Sequence, residues 1–396
     1  MSNLLAFEEA LTAIEKAATV RVETETLPLS KTLGRILASN IVAPMNVPPQ
    51  ANSAMDGYAI AYQDWQDSKA FRVSQRVAAG QAPQPLQAGT CARIFTGAIL
   101  PTGADTIIMQ ENAQVEAERV RFLSTPQQGD HVRPSGQDMK QGQTIALLGQ
   151  QLTAMQIGLL ASLGMTQVSV FKPLRVGILT TGDELVSAGS PLLTGQIYNS
   201  NGPMLDALVT EAGHRVTCSL HAADTPEATE QALQQLTKEC DVILSSGGVS
   251  VGEEDHVKHV LEKLGTLHLW KIAIKPGKPL VHASLDGVPF LGLPGNPSST
   301  LVTFHWFARL LLSVCAGAQA TRPEAYKVKA GFHRPKAIQR DEFLRVTIQQ
   351  GKAYPHIQQS SGALLAACES QGYLHIKARE SVQENQAYDF YPFNSF

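Results

Sequence analysis

The stretch Asp241-Val242-Ile243-Leu244-Ser245-Ser246-Gly247-Gly248-Val249-Ser250-Val251-Gly252-Glu253-Glu254-Asp255 decides how the middle of this chain is built. Its first part is a short aliphatic run, the composition of a strand buried on both faces. Its second part replaces that run with paired glycines, a hydroxyl and carboxylates. A buried strand that breaks into glycines is the pattern of an α/β sheet whose loops approach a ligand. The flanking sequence repeats it. A strand predicted over 175–180 runs into Thr181-Gly182-Asp183-Glu184-Leu185, and one over 289–293 runs into Pro294-Gly295-Asn296-Pro297-Ser298-Ser299-Thr300. Helical patterns over 204–212, 226–240 and 298–315, with a further strand over 215–221, alternate with them. Strands alternating with helices predict a parallel, doubly wound sheet.

Outside this region the texture changes. Leu4, Phe7, Leu11, Ile14 and Ala18 recur at three- and four-residue steps and predict an N-terminal helix. A second short helix fits 31–39, with Leu33, Ile36 and Leu37 on one face. Pro44, Pro48 and Pro49 then mark a linker, after which short β-like runs (71–77, 91–96, 106–109, 120–123) continue to about Gly142. Helix returns over 153–163, with Thr153 as N-cap and Gly164 as C-cap. Packing of that helix on the N-terminal helices would make the β unit an insertion. After Pro323, alternating patterns at 326–330, 342–348 and 371–377 predict a small C-terminal β-barrel or sandwich. The division is a discontinuous helical domain I (1–43 and 144–173), an inserted mostly β domain II (44–143), an α/β domain III (174–322) and a β-barrel domain IV (323–396).

Composition narrows the classes of function. A chain of 396 residues holds two to four domains at roughly 100–200 residues each. Lys and Arg number 32 against 35 Asp and Glu, a net charge of −3, so no global basic field attracts nucleic acid or anionic lipid. An anionic ligand must be held by a local cluster. No apolar run is long enough to span a bilayer, and the first residues lack the pattern of a signal peptide. The five cysteines are scattered and never spaced as CxxC, which predicts reduced thiols and a cytoplasmic protein without a zinc site.

The chemistry concentrates at the three strand ends. Glycines let backbone N–H groups approach a phosphate, hydroxyls add donors, and helix N-termini add positive potential. One such loop alone is an ordinary turn; three after predicted strands form an oxyanion cradle. Lys271, Lys275 and Lys278 fall within eight residues, on a turn made by Pro276-Gly277 and flanked by apolar residues. They line a rigid loop facing an anion. Asp183, Glu184, Asp224, Glu254 and Asp255 form the opposing carboxylates, joined by Asp56 and Asp138 from the β insertion. Hard oxygen donors beside phosphate suggest Mg²⁺.

Seven segments together resemble the MoeA family of molybdenum-inserting enzymes, which includes the C-terminal domain of gephyrin. They are NSAMDGYA (52–59), IFTGAILPTGADTII (94–108), RPSGQD (133–138), TTGDEL (180–185), SSGGVSVGEEDHVK (245–258), IKPGKP (274–279) and GLPGNPSS (292–299). The resemblance implies an elongated, four-part subunit that dimerises, with domain III binding molybdopterin. The reaction it implies takes adenylylated molybdopterin and molybdate, inserts molybdenum at the dithiolene and releases AMP, with Mg²⁺ assisting. The cleft would lie between domain III of one subunit and the insertion of the other, and the enzyme would meet the adenylyltransferase and molybdoenzymes transiently.

Carried over by position, the catalytic set is Asp56, Thr96, Asp138, Glu184, Asp224, Asp255, Lys271 and Lys275, with Asp56, Glu184 and Asp255 as metal ligands. The ligand-binding set is Thr181, Gly182, Asp183, Ser246, Gly247, Gly248, Ser250, Lys278, Pro294, Gly295, Asn296, Pro297 and Ser298. Arg345 and Ser361 are added as residues of the C-terminal domain that face the cleft. The competing readings are a molybdopterin adenylyltransferase, which needs only one compact α/β domain, and a non-catalytic, gephyrin-like interaction scaffold.

Overall fold

The computed structural model describes residues 4–249 and 256–396. Helix α1 (Phe7–Ala17) forms where its apolar stripe predicts, with Glu8 and Glu9 in the first turn favouring the positive end of the helix dipole. Its partner is not the one expected. Phe7, Ala10, Leu11 and Ile14 are buried in the core of the central α/β region, with Trp306 and Phe307. Helix α2 (Ala154–Ser162) packs elsewhere, with Leu29, Leu37, Ile41 and Leu152. Domain I as a helical unit is therefore corrected: this cluster is assembled largely from extended chain. Thr24–Pro28 pairs antiparallel with Gln167–Phe171, and Ile41–Val42 with Thr144–Ala146. The N-cap of α2 is as read, with Thr153 Oγ1 accepting from the Gln156 N–H; the C-cap is Leu163, and Gly164 follows it at φ +74.

The helix expected over 31–39 does not form. A 3₁₀ turn, Leu29–Lys31, is followed by Gly34 at φ +75 and by extended chain in which Leu37 is bridged to Val170. Gly34 stops helix propagation after one turn, and Leu37 reaches the core from extended chain instead of from a helical face.

The insertion is a six-stranded sheet in the order Thr106–Met109, Gly57–Ile60, Thr90–Ile94, Ala70–Val77, Arg119–Phe122, Ala113–Glu116. Alternate residues feed two small cores, Tyr58, Phe71 and Ile108 on one face, Ala59, Ile94 and Ile107 on the other.

The central sheet has the order Arg215–Ala222, Arg175–Thr181, Val242–Ser246, Val288–Leu293, Val281–Leu285, Gly265–Trp270. Its first four strands are parallel. The last two are antiparallel to their neighbours, so the doubly wound sheet is mixed, parallel over its first four strands only. It is wound on both faces. Ile178, Leu244 and Leu291 point toward α1, α3 (Asn201–Glu211) and the long C-terminal helix, while Leu179, Ile243 and Phe290 point toward α4 (Pro226–Glu239) and α5 (His256–Leu264). The long helix runs as α6 (Pro297–Thr303), a π-helical turn (Phe304–Ala308) and α7 (Arg309–Cys315).

The C-terminal region closes into a five-stranded barrel. Asp341–Gln349 pairs with Lys352–Pro355, which pairs with Tyr326–Ala330; Ala387–Pro392 and Gly372–Ile376 then lead back to Asp341–Gln349. Closure removes the free sheet edges. Phe7 stands between barrel and sheet, its ring 5.0 Å from Trp306 and 5.1 Å from Phe343, both edge-on. Phe7→Ala is expected to cost about 3–5 kcal/mol of stability by emptying this junction. Denaturant unfolding measures it, and a loss below about 1 kcal/mol is incompatible with α1 being part of the central core.

Candidate functional site

Register sets the geometry of the site. Thr180 lies opposite Ser246, and Ser246 opposite Leu293, so three adjacent parallel strands end level. The loops beginning at Thr181, Gly247 and Pro294 therefore leave the sheet side by side. Asn201, the first residue of α3, ties two of them together: its Nδ2 donates to Ser246 Oγ at 2.8 Å and to the Gly295 carbonyl at 2.7 Å. Ser246 Oγ donates onward to the Pro294 carbonyl at 3.2 Å, which also accepts from Thr300 Oγ1 at 2.6 Å. Sequence reasoning missed Asn201. Its signal is an Asn-Gly-Pro step at 201–203, just ahead of the helical pattern over 204–212.

Glycine is required at 247. Its φ of +96 is disfavoured for L side chains, and a Cβ there would stand 2.8 Å from the Thr181 carbonyl oxygen. The result is a cleft of about 530 Å³ over the strand ends. Of the expected residues, Thr181, Gly182, Glu184, Asp224, Ser246, Gly247, Gly248, Pro294, Gly295, Asn296 and Pro297 line it. Asp183 stands behind Asp224, each backbone N–H donating to the other's carboxylate at 3.3 and 3.1 Å. Two lining residues keep unused hydrogen-bonding capacity: the buried Thr181 Oγ1 and Asn201 Oδ1 have no partner among the described residues. Ser250 and Asp255 lie outside the described residues.

The lysine loop sits on the same side. Lys271 N–H donates to the Leu280 carbonyl and Ile272 N–H to the Lys278 carbonyl, closing a tight hairpin. Its Gly277, at φ +112, packs so tightly that a Cβ would meet Thr303 of α6 at 2.7 Å. Pro279 lines the cleft beside Gly247 and Gly295. Lys278 is exposed, and Lys275 is half-exposed and pairs with Glu342 at 2.9 Å. None of Lys271, Lys275 and Lys278 lines the cleft itself.

The barrel reaches the same wall indirectly. Ser298 N–H donates to the Ser361 carbonyl, and Ser298 Oγ to the Ala363 carbonyl, each at 2.9 Å. Arg345 departs from expectation. Its side chain is fully buried and does not face the cleft; Nη2 donates to the Gln358 and Ser360 carbonyls, while Nε and Nη1 have no partner among the described residues. Desolvation holds its guanidinium below the usual arginine range. It lies under the 358–360 loop, and Ser361 meets Ser298 through its backbone carbonyl.

The insertion gathers its own group. Asn52–Ser53 pairs with Val132–Arg133, and Gly97 N–H donates to the Ser53 carbonyl, which brings the 52–59, 94–98 and 133–138 segments to one end of that sheet. Asp56 Oδ1 accepts from both Thr96 N–H and Thr96 Oγ1 at 2.8 Å. These bonds, the backbone one foremost and helped by the charge of Arg93, hold the Asp56 carboxyl below its ordinary value. Asp138 is exposed, on the segment that bonds the Val47 carbonyl. None of the three lines the cleft of its own chain. A second cavity of about 320 Å³, bordered by His214, Trp306 and Arg309, contains none of the expected site residues.

Comparison with known proteins matches almost the whole chain. Residues 5–164 match the family described as MoeA N-terminal region (domain I and II), 177–313 a probable molybdopterin binding domain, and 327–393 the MoeA C-terminal region (domain IV). A molybdopterin molybdenumtransferase of Haemophilus influenzae is 38% identical over 86% of this chain and 85% of its own length. One from a Nostoc species is 39% identical over 78% and 73%. A solved molybdopterin biosynthesis MoeA protein of Pyrococcus horikoshii OT3 superposes with a TM-score of 0.86 at 26% identity, covering 99% of this chain and all of its own.

The Asp56–Thr96 pair yields a titration prediction. Because the folded-state value lies below the unfolded one, ionised Asp56 favours the fold above the unfolded pKa, and that contribution vanishes as pH falls through the folded value. Thr96→Val removes the hydroxyl donor and keeps the N–H. Carboxyl NMR is expected to show Asp56 titrating below 3.8 in the parent and moving upward in the variant; an unchanged titration contradicts the hydroxyl's part.

Proposed function

The chain belongs to the MoeA family, and from that premise we propose how its cleft carries out the transfer named in its relatives. It is an enzyme of molybdenum cofactor biosynthesis, a molybdopterin molybdenumtransferase. The observation that carries the reading is the level ending of three parallel strands at Thr180, Ser246 and Leu293, which turns three separate loops into one anion cleft.

The substrate in this reading is adenylylated molybdopterin, with molybdate as the metal donor and AMP as the released product. Breaking a phosphoanhydride develops charge on phosphate oxygens, and preorganised donors lower its cost. The backbone around Gly247, Gly248 and Gly295 and the hydroxyl of Thr181 supply such donors at the strand ends. Lys271, Lys275 and Lys278 bring positive charge from the adjoining loop. Molybdate, a tetrahedral dianion, asks for the same donors as phosphate, so this loop and the barrel wall at 358–361 are assigned to it.

Among the described residues no three His, Cys, Asp or Glu side chains gather as a metal cage. Glu184 and Asp224 do line the cleft, and Mg²⁺ is commonly held by one or two carboxylates plus ligand phosphates and water. Glu184 would hold the ion from the cleft, with Asp56 from the insertion and Asp255, which lies outside the described residues, as the further ligands. A bound Mg²⁺ would neutralise charge on the phosphate oxygens.

Asp56 and Thr96 are bonded to each other, and neither they nor Asp138 line their own chain's cleft. That placement supports a homodimer in which the insertion of one subunit completes the cleft of the other. Asp56, its carboxylate favoured by Thr96, would orient the attacking water or help hold the metal. Among the described residues no helix is long and apolar enough to cross a membrane, and all five cysteines are unpaired, which supports a cytoplasmic enzyme. Its transient contacts would be the adenylyltransferase that supplies the substrate and the molybdoenzymes that take the product.

The test mixes the protein with adenylylated molybdopterin, Mg²⁺ and molybdate and follows AMP. Molybdate-dependent AMP release is expected. ATP consumption with free molybdopterin would instead identify an adenylyltransferase, and inertness in both assays a scaffold. Asp56→Asn is expected to lower turnover at least about a hundredfold while ligand binding is largely kept; near-normal turnover removes Asp56 from the chemistry.

A further inference from the structure

The lysine loop is held to the barrel by more than packing. Ile274–Lys275 runs parallel to the start of the Asp341–Gln349 strand, with Ile274 opposite Asp341 and Lys275 opposite Glu342. Asp341 N–H donates to the Ala273 carbonyl at 3.0 Å, and Arg340 Nη1 to the Ile274 carbonyl at 3.1 Å. Side chains continue this seam. Glu342 is 3% exposed, and its two oxygens face different cations: Oε1 accepts from Lys275 Nζ at 2.9 Å, and Oε2 accepts from Arg334 Nη1.

The asymmetry of the pair is informative. The carboxylate is the buried, immobile partner, while the lysine side chain is 43% exposed. An ammonium has three N–H donors, and the bond to Glu342 uses one of them. A free lysine samples many rotamers, and ordering it for a ligand costs conformational entropy. A carboxylate pinned from its far side by Arg334 removes that disorder before the ligand arrives.

We propose that Glu342 is a positioning residue for the transfer, holding the Lys275 ammonium at a set point on the loop so that its remaining donors can meet the oxyanion. The inference rests on the reading of Lys275 as a residue of the transfer site. Glu342 touches no substrate in it; it acts through Lys275 and couples the barrel to the lysine loop.

Two measurements test it. The first does not need activity. Purified protein is treated with a small amine-selective acylating reagent, and the rate at each lysine is read by mass spectrometry. In the parent, Lys275 is expected to react more slowly than Lys278 on the same loop. In Glu342→Gln, the rate at Lys275 is expected to rise about fivefold with Lys278 unchanged, because a charge-assisted bond is lost. Glu342→Asp, which keeps the charge, should fall between. Equal reactivity of the two lysines in the parent overturns the proposal even if the variants do not fold, and so does an unchanged Lys275 rate in a folded Glu342→Gln.

The second measurement is molybdate-dependent AMP release. Glu342→Gln is expected to lower kcat/KM for molybdate about tenfold, with partial rescue by Glu342→Asp. The double variant Glu342→Gln, Lys275→Gln is expected to be no worse than Lys275→Gln alone, since both changes remove one device. Multiplicative losses would assign Glu342 a merely structural role and overturn the proposal. A parent protein inert toward molybdate would overturn the functional reading instead, and the acylation rates would still decide whether Glu342 restrains Lys275.

Discussion

Parallel strands deliver their carboxyl ends to one edge of a sheet, and here register makes three of those ends level, with Thr180 beside Ser246 and Ser246 beside Leu293. Loops that begin level on strands about 4.8 Å apart cannot avoid one another. Most side chains would clash in that space, so glycine occupies 247, where a Cβ would press on the Thr181 carbonyl. The polar groups brought together must also be satisfied, and Asn201 does much of that by bonding Ser246 and Gly295 at once. Both faces of the sheet are buried, so a slip that would unlevel the strand ends would also misplace the two cores, Leu244 and Leu291 on one side and Ile243 and Phe290 on the other.

The barrel and the N-terminal helix are extensions of this frame. Phe7 inserts α1 between Trp306 of the long helix and Phe343 of the barrel. Ser298, at the start of that helix, bonds the 361–363 segment, and Glu342 holds the lysine loop from the barrel side. The wall of the cleft is thus built from segments separated by more than a hundred residues. Charge follows the same rule. The net balance of −3 says little about the site, where Glu184 and Asp224 line the cleft while Lys275 is paired with Glu342 on the adjoining loop.

Elements with strong local signals were legible. The stripe of α1, the N-cap of α2, the buried strands and the loop glycines appear where composition and periodicity place them. The failures share a cause, which is that local pattern carries no partner. An amphipathic stripe requires burial without saying against what, so α1 was expected on α2 and lies on the central core. A strand's composition carries no direction, and the antiparallel pair Gly265–Trp270 and Val281–Leu285 went unread beside its parallel neighbours. Over 31–39, apolar spacing suggested a helix that Gly34 interrupts. Arg345 shows the limit at the site: the family resemblance places it facing the cleft, yet it lies under the 358–360 loop.

By itself the sequence determined which loops end in glycine, hydroxyl and carboxylate, and hence the class of ligand the protein can hold, because donor type and backbone freedom are properties of single residues. Tertiary structure alone decided that these loops meet, that Asn201 clasps them, that Glu342 reaches Lys275, and that Asp56 stands apart from its own chain's cleft. The reason is physical: hydrogen bonds and ion pairs act over a few ångströms, and only the folding of distant segments onto shared cores brings their partners within that range.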